Sequence, residues 1–227
     1  MTKDSLAIYQ SISNDIITMK LKPGDMLKEI EVANKFNVSR TPIRDVFKRL
    51  EYDKLLDIHS QKGSFVSKIN LEGITDMMYV RTQVEISVIT ELINVVNPGN
   101  IATLQLIIDD QFRLLNMMRE PNCDIQALSS KFYELDNYFH EQIYSRAGKL
   151  SVLKQLNSIS PSFSRFRYLT FLREEKQIEE LCYLHKKILN CIEEKDLVTL
   201  KDVVYSHNFS GIIGIEKVRE KHPEFFE

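Results

Sequence analysis

The sequence predicts a mainly α-helical protein, with an N-terminal winged helix-turn-helix and a C-terminal, all-α, antiparallel bundle of six to seven helices. Three observations support this fold class. Residues 27–50 read as two short helices joined by a tight turn, and residues 55–69 read as a β-hairpin. No strand pattern follows residue 70, where helical periodicity continues along the chain. We place two domains at 1–69 and 70–227.

The composition is typical of a soluble, helix-rich protein, with 7 glycines, 6 prolines and 43% hydrophobic residues. No apolar run is long enough to span a membrane, and the N-terminus lacks a signal-peptide pattern, so we expect a cytoplasmic location. Residues 1–69 carry 12 Lys or Arg against 9 Asp or Glu, whereas the rest carries 18 against 23. A mildly basic module before an acidic one suits a chain that contacts nucleic acid at one end. We expect Cys123, Cys182 and Cys191 to be free thiols, in the core or without a role, because their odd number and spacing do not suggest disulfides or a thiolate zinc site.

The N-terminal helices are predicted from the spacing of apolar residues. A first helix at about residues 5–20 ends at Lys22-Pro23-Gly24 and should pack behind the next two. Residues 27–36 form a second helix, and Asn37-Val38 form the turn that follows it. The third helix, from Ser39 to Leu50, reads SRTPIRDVFKRL.

This third helix has two distinct faces. Ser39 or Thr41 can cap it, and Pro42 falls in the first turn, where a missing N–H costs little. One stripe is apolar and consists of Ile43, Val46, Phe47 and Leu50. Another is basic and consists of Arg40, Arg44 and Lys48. Such a helix fits the DNA major groove, where Arg reads guanine edges and Lys meets phosphate, although a surface helix with solvated charges is the alternative.

A predicted hairpin, the wing, follows the third helix. Strand-like runs at 55–59 and 64–69 flank Ser60-Gln61-Lys62-Gly63, with Gly63 at the tip. The stretch LKPGDMLKEIEVANKFNVSRTPIRDVFKRLEYDKLLDIHSQKGSFV resembles the DNA-binding domain of the GntR family of bacterial transcription regulators, over about residues 5–69. The matching motifs are the Pro23-Gly24 turn, Leu27-x-Glu29, Val38-Ser39-Arg40-Thr41-Pro42-x-Arg44 and Gly63-x-Phe65-Val66.

The resemblance implies particular DNA contacts. The residues expected to touch DNA are Ser39, Arg40, Thr41 and Arg44, and Gly63 is expected to bring the wing backbone close to it. One departure concerns Leu55, which stands where the family usually has a turn glycine. The approach to the wing is therefore expected to differ.

Every segment after the wing reads as helix. Asn70 can cap a long helix from Leu71 to about Val96, which is broken at Asn97-Pro98-Gly99-Asn100. Further helices are expected at about 101–119, 124–147, 150–159, 161–169, 175–194 and 197–219. This order resembles the FadR-type branch of the GntR family, whose effector domain is such a bundle and is called FCD. The resemblance then covers nearly the whole chain.

Three histidines fall inside apolar helical stripes of this bundle. They are His140, His185 and His207, and Asp136 lies one turn before His140 on the same side of its helix. A single inward histidine is usually a hydrogen-bonded core residue. Three of them with a carboxylate are better explained by one shared cation, for which Zn²⁺, Ni²⁺, Mn²⁺ and Fe²⁺ are all suitable.

The family resemblance agrees with this ligand set. FadR-type effector domains that hold a metal have an Asp-x-x-x-His helix and two further histidines on the last two helices, which correspond to Asp136, His140, His185 and His207. Two positions depart from the pattern. Leu184 stands where Glu is frequent, and Lys149 replaces the Asn of the usual Ala-Gly-Asn. Neither change removes a ligand, although each can alter the groups around the metal.

Arg81 occupies the middle of an otherwise apolar stripe on the long helix. One interpretation is an internal ion pair with Glu85, one turn later. The other is a fork for a ligand carboxylate, which arginine binds through two parallel hydrogen bonds. An arginine at this place resembles the effector-binding arginine of several family members. Tyr133 is a further candidate for holding the other end of such a ligand.

The sequence thus predicts a transcription regulator, not an enzyme, and repression is the expected mode. It should bind a short inverted repeat of double-stranded DNA as a homodimer and sense a small organic or sugar acid through a metal-containing pocket. One alternative is a metal-dependent hydrolase or lyase fused to a DNA-binding module, which would need a general base beside the metal. Another is a regulator with a structural metal and an apolar, acyl ligand.

Overall fold

A computed structural model of the chain describes residues 3–171, 175–213 and 215–227. These residues form two compact units. The first consists of Met1–Ile74, Asn157–Leu169 and Lys217–Glu227, and the second of Thr75–Leu156 and Thr170–Glu216. The N-terminal unit therefore includes two segments from the C-terminal part of the chain.

The first unit contains the winged helix-turn-helix, as predicted. Its helices are α1 (Lys3–Ile17), α2 (Glu29–Phe36) and α3 (Arg40–Tyr52), and its strands are β1 (Met26–Leu27), β2 (Leu56–His59) and β3 (Gly63–Val66). The strands form an antiparallel sheet in the order β1-β3-β2. Leu27 was expected to begin a helix but lies in β1, where it pairs with Ser64. A strand of two residues is defined by its partner, so alternation along the sequence could not reveal it.

Three details of the turns correct the sequence prediction. Ser39 occupies the N-cap position of α3 with extended backbone, but its side chain makes no capping hydrogen bond, and Thr41 lies inside the helix. Gly63 is not at the wing tip, because it opens β3 and pairs with His59. The left-handed residue after α3 is Lys54, with φ of 55°, whereas Leu55 is fully buried.

The core of the winged helix-turn-helix is formed by apolar faces of α1, α2 and α3 and the sheet. The predicted stripe of α3 is buried, with no member more than 1% exposed: Ile43, Val46, Phe47 and Leu50. Ile8, Ile12 and Ile16 of α1 pack in the same cluster. Burial of this face fixes which side of α3 remains in solvent.

The segment between the wing and the next helix is held by chain segments from far along the sequence. Arg165 is fully buried and donates through Nη1 to Ser67 O at 2.7 Å and through Nη2 to Lys68 O at 3.1 Å. Ile69 N donates to Phe225 O at 2.8 Å, and Glu227 N donates to Ile69 O at 3.2 Å. We call residues 67–70 the junction.

The remaining helices confirm the all-α prediction. Their bounds are α4 (Leu71–Val95), α5 (Pro98–Met118), α6 (Ile125–Arg146), α7 (Leu150–Ile159), α8 (Pro161–Phe171), α9 (Glu175–Glu194), α10 (Leu197–Ile213) and α11 (Ile215–Lys221), followed by a short 3-10 helix (Pro223–Phe225). The helix predicted at 197–219 includes Gly214, which is outside the described residues. None of the described helices is long and apolar enough to cross a membrane.

Helix starts in this region follow from side-chain caps. Gly73 N donates to Asn70 Oδ1 at 2.8 Å, and Ala127 N donates to Asp124 Oδ1 at 3.0 Å, as predicted for both caps. Pro98 to Asn100 were expected to be part of a break but form the first turn of α5. Asn97 and Asn100 cap each other's backbone N–H groups reciprocally, so the polar run is a helix start.

Within the second unit, α5 packs on both α6 and α9, and α9 packs on α10. This packing brings the histidine-bearing helices α6, α9 and α10 together. An apolar cluster supports the same packing and contains Leu114, Leu115, Met118, Leu128, Phe132, Phe171, Ile178, Leu181 and Cys182. Cys182 and Cys191 are buried free thiols and Cys123 is a half-buried one, as expected for core cysteines.

Candidate functional sites

Four ligand-type side chains meet inside the second unit. One ligand atom from each of Asp136, His140, His185 and His207 lies within 4.8 Å of the others. Asp136 and His140 come from α6, His185 from α9 and His207 from α10. All four are buried, and the most exposed, His207, has 6% of its surface accessible. The structure therefore brings together the four residues predicted as metal ligands.

The distances in this group fit one shared cation. His140 Nε2 lies 3.1 Å from His207 Nε2, and His185 Nε2 lies 3.4 Å from Asp136 Oδ1. Two ring nitrogens at that spacing can both reach one transition metal ion, since Zn–N bonds are about 2.0–2.1 Å long. His185 Nε2 makes no well-formed hydrogen bond among the described residues, and the Asp136 carboxylate at 3.4 Å is a long contact for it. A buried nitrogen without a well-formed hydrogen bond is rare in a folded protein, and a metal bond would satisfy it.

Burial keeps these imidazoles in the neutral form that metals require. Loss of water lowers the pKa of His185, against the opposing effect of Asp136. Burial, followed by the neighbouring His185 and His140, lowers the pKa of His207 well below its usual value. Both rings are therefore neutral at ordinary pH, with a lone pair available for a cation.

Glu85 and Gln111 contact the histidines from the outside. The Glu85 carboxylate hydrogen-bonds His140 Nδ1 through Oε1 and accepts from Asn208 Nδ2 through Oε2 at 3.0 Å. Gln111 Oε1 lies 2.8 Å from His185 Nδ1. Burial would raise the pKa of Glu85, but His140 and Arg81 together hold it well below its usual range. The sequence could have identified Gln111, because it interrupts the apolar stripe of α5 between Ile108 and Leu115.

Arg81 is 2% exposed, and its Nε lies 4.0 Å from Glu85 Oε2. This separation is longer than the 2.7–2.9 Å of a charge-assisted hydrogen bond. Tyr144 lies on α6, one turn after His140. Burial and then the Glu85 carboxylate raise the pKa of its hydroxyl, and Arg81 opposes this. The fully buried Tyr144 hydroxyl finds no hydrogen-bond partner in the described part of the chain. The sequence did not identify Tyr144.

Tyr133, the other predicted ligand residue, is half-buried on α6. Its ring centroid lies 5.6 Å from that of Phe171. It packs against the apolar cluster that contains Phe132 and Cys182.

The basic stripe of α3 is in solvent, opposite the buried stripe. The side chains of Arg40 and Arg44 are 57% and 60% exposed, and Lys48 is exposed as well. Arg40 Nη2 and Arg44 Nε donate to the same oxygen of Glu29, at 3.0 and 3.1 Å. Glu29 therefore holds both guanidinium groups together at the N-terminal end of α3.

The other predicted DNA contacts lie on the same unit. Ser39 and Thr41 are exposed at the start of α3, where short polar side chains can reach a DNA backbone. Gly63 is exposed with φ of 114°, a left-handed value that favours glycine.

Both parts of the chain match models of known protein families. Residues 4–66 match the family model "Bacterial regulatory proteins, gntR family", and residues 76–209 match the "FCD domain" model. The HTH-type transcriptional repressor RspR of Escherichia coli is 24% identical over 96% of this chain and 92% of its own length. The galactonate operon transcriptional repressor of Escherichia coli is 27% identical over 83% of this chain and 86% of its own. The gluconate operon transcriptional repressor of Bacillus licheniformis is 25% identical over 88% of this chain and 79% of its own length.

Solved structures show the same fold. A GntR transcriptional regulator from Rhodococcus sp. RHA1 superposes with a TM-score of 0.73 at 15% identity, covering 95% of this chain and 99% of its own. McbR/YncC of Escherichia coli superposes with a TM-score of 0.71 at 15% identity, covering 96% of this chain and 99% of its own. The family models and the names of the sequence relatives above are those of transcription regulators. The chain therefore belongs to the GntR family of bacterial transcription regulators, in the group with an FCD domain, and is a ligand-responsive DNA-binding regulator.

Proposed function

We propose that this regulator is a metal-dependent repressor that senses a small organic or sugar acid and binds a short inverted repeat as a homodimer. The observation that carries the proposal is the buried group of Asp136, His140, His185 and His207. Three neutral imidazoles and a carboxylate suit Zn²⁺, Ni²⁺, Mn²⁺ or Fe²⁺. Such an ion supplies a Lewis acid to which a ligand oxygen can bind.

The side chains around this group support an acidic, polar ligand. Arg81 is buried beside it, and a planar guanidinium matches a carboxylate in shape and charge. The Tyr144 hydroxyl and Gln111 Nε2 are buried without hydrogen-bond partners among the described residues. A hydroxylated acid can bond to such groups, whereas a hydrocarbon chain would leave them unsatisfied. This contrast favours an acid over the acyl alternative.

The names of relatives support the same ligand class. Two relatives are called repressors of the gluconate and galactonate operons, and gluconate and galactonate are both sugar acids. We infer by analogy that this chain acts as a repressor whose effector is an acid of this kind.

The DNA-binding proposal rests on the solvent face of α3. In this proposal Arg40 and Arg44 read base edges, and Lys48, one turn further along the exposed face, meets phosphate. A two-fold symmetric dimer would place two such helices on the halves of an inverted repeat. Effector binding would shift the population between dimer geometries that fit and do not fit the operator.

The proposal is tested by metal analysis followed by calorimetry. Purified protein, reconstituted with each candidate metal, is titrated with aldonic acids, dicarboxylates and a medium-chain fatty acid, with and without chelator. We expect binding of one acid class that disappears when the metal is removed. Acid binding that survives complete metal removal, or binding of the fatty acid alone, would contradict the proposal. Sedimentation and mobility-shift assays then test the dimer and the operator.

A further inference from the structure

Two polar side chains outside the four-residue group bond the ligand histidines on the nitrogens that face away from it. Gln111 of α5 has Oε1 at 2.8 Å from His185 Nδ1. Glu85 of α4 bonds His140 Nδ1 through its carboxylate. Both side chains are 0% exposed. Neither is one of the proposed metal ligands.

These contacts favour a proton on Nδ1 of each ring. An amide oxygen and a carboxylate oxygen accept hydrogen bonds, so in each pair the imidazole Nδ1–H is the donor. A neutral imidazole protonated on Nδ1 has its lone pair on Nε2. The Nε2 atoms are those that face the centre, where His140 Nε2 lies 3.1 Å from His207 Nε2. His185 Nε2 lies 3.4 Å from Asp136 Oδ1, a carboxylate oxygen that favours a proton on Nε2, so in the metal-free protein Gln111 acts against Asp136.

We propose that Gln111 is a positioning residue that holds His185 in the Nδ1–H tautomer before any metal binds, and that Glu85 does the same for His140. This inference deepens the proposed metal site and rests on it for its functional meaning. The protein thereby keeps two lone pairs aimed at the centre in its metal-free state. Groups that orient ligating histidines in this way typically affect metal affinity by about 10- to 100-fold.

Gln111 can serve this role in only one amide orientation. The reversed amide would present Nε2, a donor, to His185 Nδ1, which would then have to accept and would carry its proton on Nε2. That tautomer has no lone pair for a metal at the centre. The amide oxygen of Gln111 is therefore the group that determines whether His185 can ligate.

Glu85 is itself held in place by a residue next to another ligand. Asn208 Nδ2 donates to Glu85 Oε2 at 3.0 Å, and Asn208 directly follows His207 on α10. One carboxylate thus connects α4 to His140 on α6 and to α10. This arrangement fixes the His140 ring and the backbone beside His207 at the same time.

The test compares Gln111→Met, which keeps the side-chain shape and removes the acceptor, with Gln111→Glu, which keeps an acceptor oxygen. Gln105→Met is the matched control, because Gln105 lies on the same helix and bonds the exposed Asp109 at 2.7 Å. Zn²⁺ affinity is measured by competition with a chromophoric chelator. Long-range ¹H–¹⁵N spectra of the metal-free proteins report the histidine tautomers, and thermal melts confirm folding.

We expect Gln111→Met to lose about 10- to 100-fold in Zn²⁺ affinity and to show His185 in a mixture of tautomers. Gln111→Glu should keep the Nδ1–H tautomer and most of the affinity, and Gln105→Met should match the wild type. An Nε2–H tautomer of His185 in metal-free wild type, or unchanged affinity in a folded Gln111→Met, would overturn the proposal. If the wild type binds no Zn²⁺, the metal function fails, but the tautomer spectra still decide the role of Gln111.

Discussion

Removal of a bound cation should destabilise the second unit, because the proposed ligands come from three different helices, α6, α9 and α10. A ligand present at 100 times its dissociation constant stabilises the native state by about 2.7 kcal/mol. For a chain of this length, each kcal/mol shifts the melting temperature by about 2–4 °C. Chelation should therefore lower the melting temperature by about 5–11 °C, and added metal should restore it.

The His185→Ala substitution separates metal loss from other effects of a chelator. His185 is fully buried and is one of only four proposed ligands, so the variant should retain little metal by elemental analysis. Its melting temperature should no longer respond to chelator. His59→Ala and His222→Ala are controls, since both histidines are exposed and outside the group. Near-stoichiometric metal in His185→Ala, or none in reconstituted wild type, would show that the three histidines are ordinary core residues.

Further predictions concern DNA binding, acid binding and the effect of pH. Arg44→Ala should cost about 1–3 kcal/mol of operator affinity and reduce discrimination between operator variants. Lys48→Ala should instead weaken binding to all sequences and lower the slope of log affinity against log salt concentration by about one. Mobility-shift assays over a salt series measure both effects. Arg81→Met should fold and retain metal but lose acid binding in calorimetry, and unfolding instead would indicate that Arg81 is structural. His185 and His207 have lowered pKa values in the folded protein, so metal binding should persist below their usual pKa of about 6.5 and be lost on further acidification, in chelator competition at stepped pH. The free energy of unfolding should also fall on acidification. The histidines of the unfolded chain have the higher pKa and bind protons first, so thermal melts of the metal-free protein should show lower stability as the pH drops below about 6.5.

Long periodic segments were predictable from the sequence because each carries its own signal. The helices expected at 150–159 and 175–194 have those bounds in the structure. Strand β1 was not predictable, since Met26 and Leu27 become a strand only by pairing with β3. The turn after α3 was placed at Leu55 instead of Lys54, a one-residue error that a pattern without backbone angles cannot resolve.

The candidate site was predictable in part for a similar reason. Each histidine interrupts an apolar stripe on its own helix, so the sequence alone indicates that all three point inward. Which polar groups meet their outer nitrogens depends on the register between helices that are distant in sequence. Gln111 and His185 are separated by 74 residues, and Glu85 and His140 by 55. Pairings of that kind follow from tertiary packing and have no local pattern.

Arg165 is the clearest buried charge that the sequence analysis overlooked, and it leads to a last prediction about the junction. Burial lowers the pKa of its guanidinium to about 10, and the guanidinium donates hydrogen bonds to the main-chain carbonyls of Ser67 and Lys68. Ser67 N and Ile69 N are themselves bonded to Leu55 O and Phe225 O, so these amides should exchange slowly with solvent. Arg165→Met removes an expensive buried charge together with the bonds that hold the junction, so overall stability should change little.

Exchange at the junction should respond much more strongly than stability does. In Arg165→Met we expect peptides covering residues 67–70 to take up deuterium at least several-fold faster, because their opening becomes a local event. Arg113→Met is the control, because Arg113 lies on α5 in the second unit and pairs with Asp110 at 2.8 Å, and it should exchange like the wild type at the junction. If Arg165→Met leaves junction exchange unchanged while the protein stays folded, the carbonyl bonds are incidental. In that case the bond from Ser67 N to Leu55 O and the pairing of Ile69 with the C-terminal residues are enough to hold the segment.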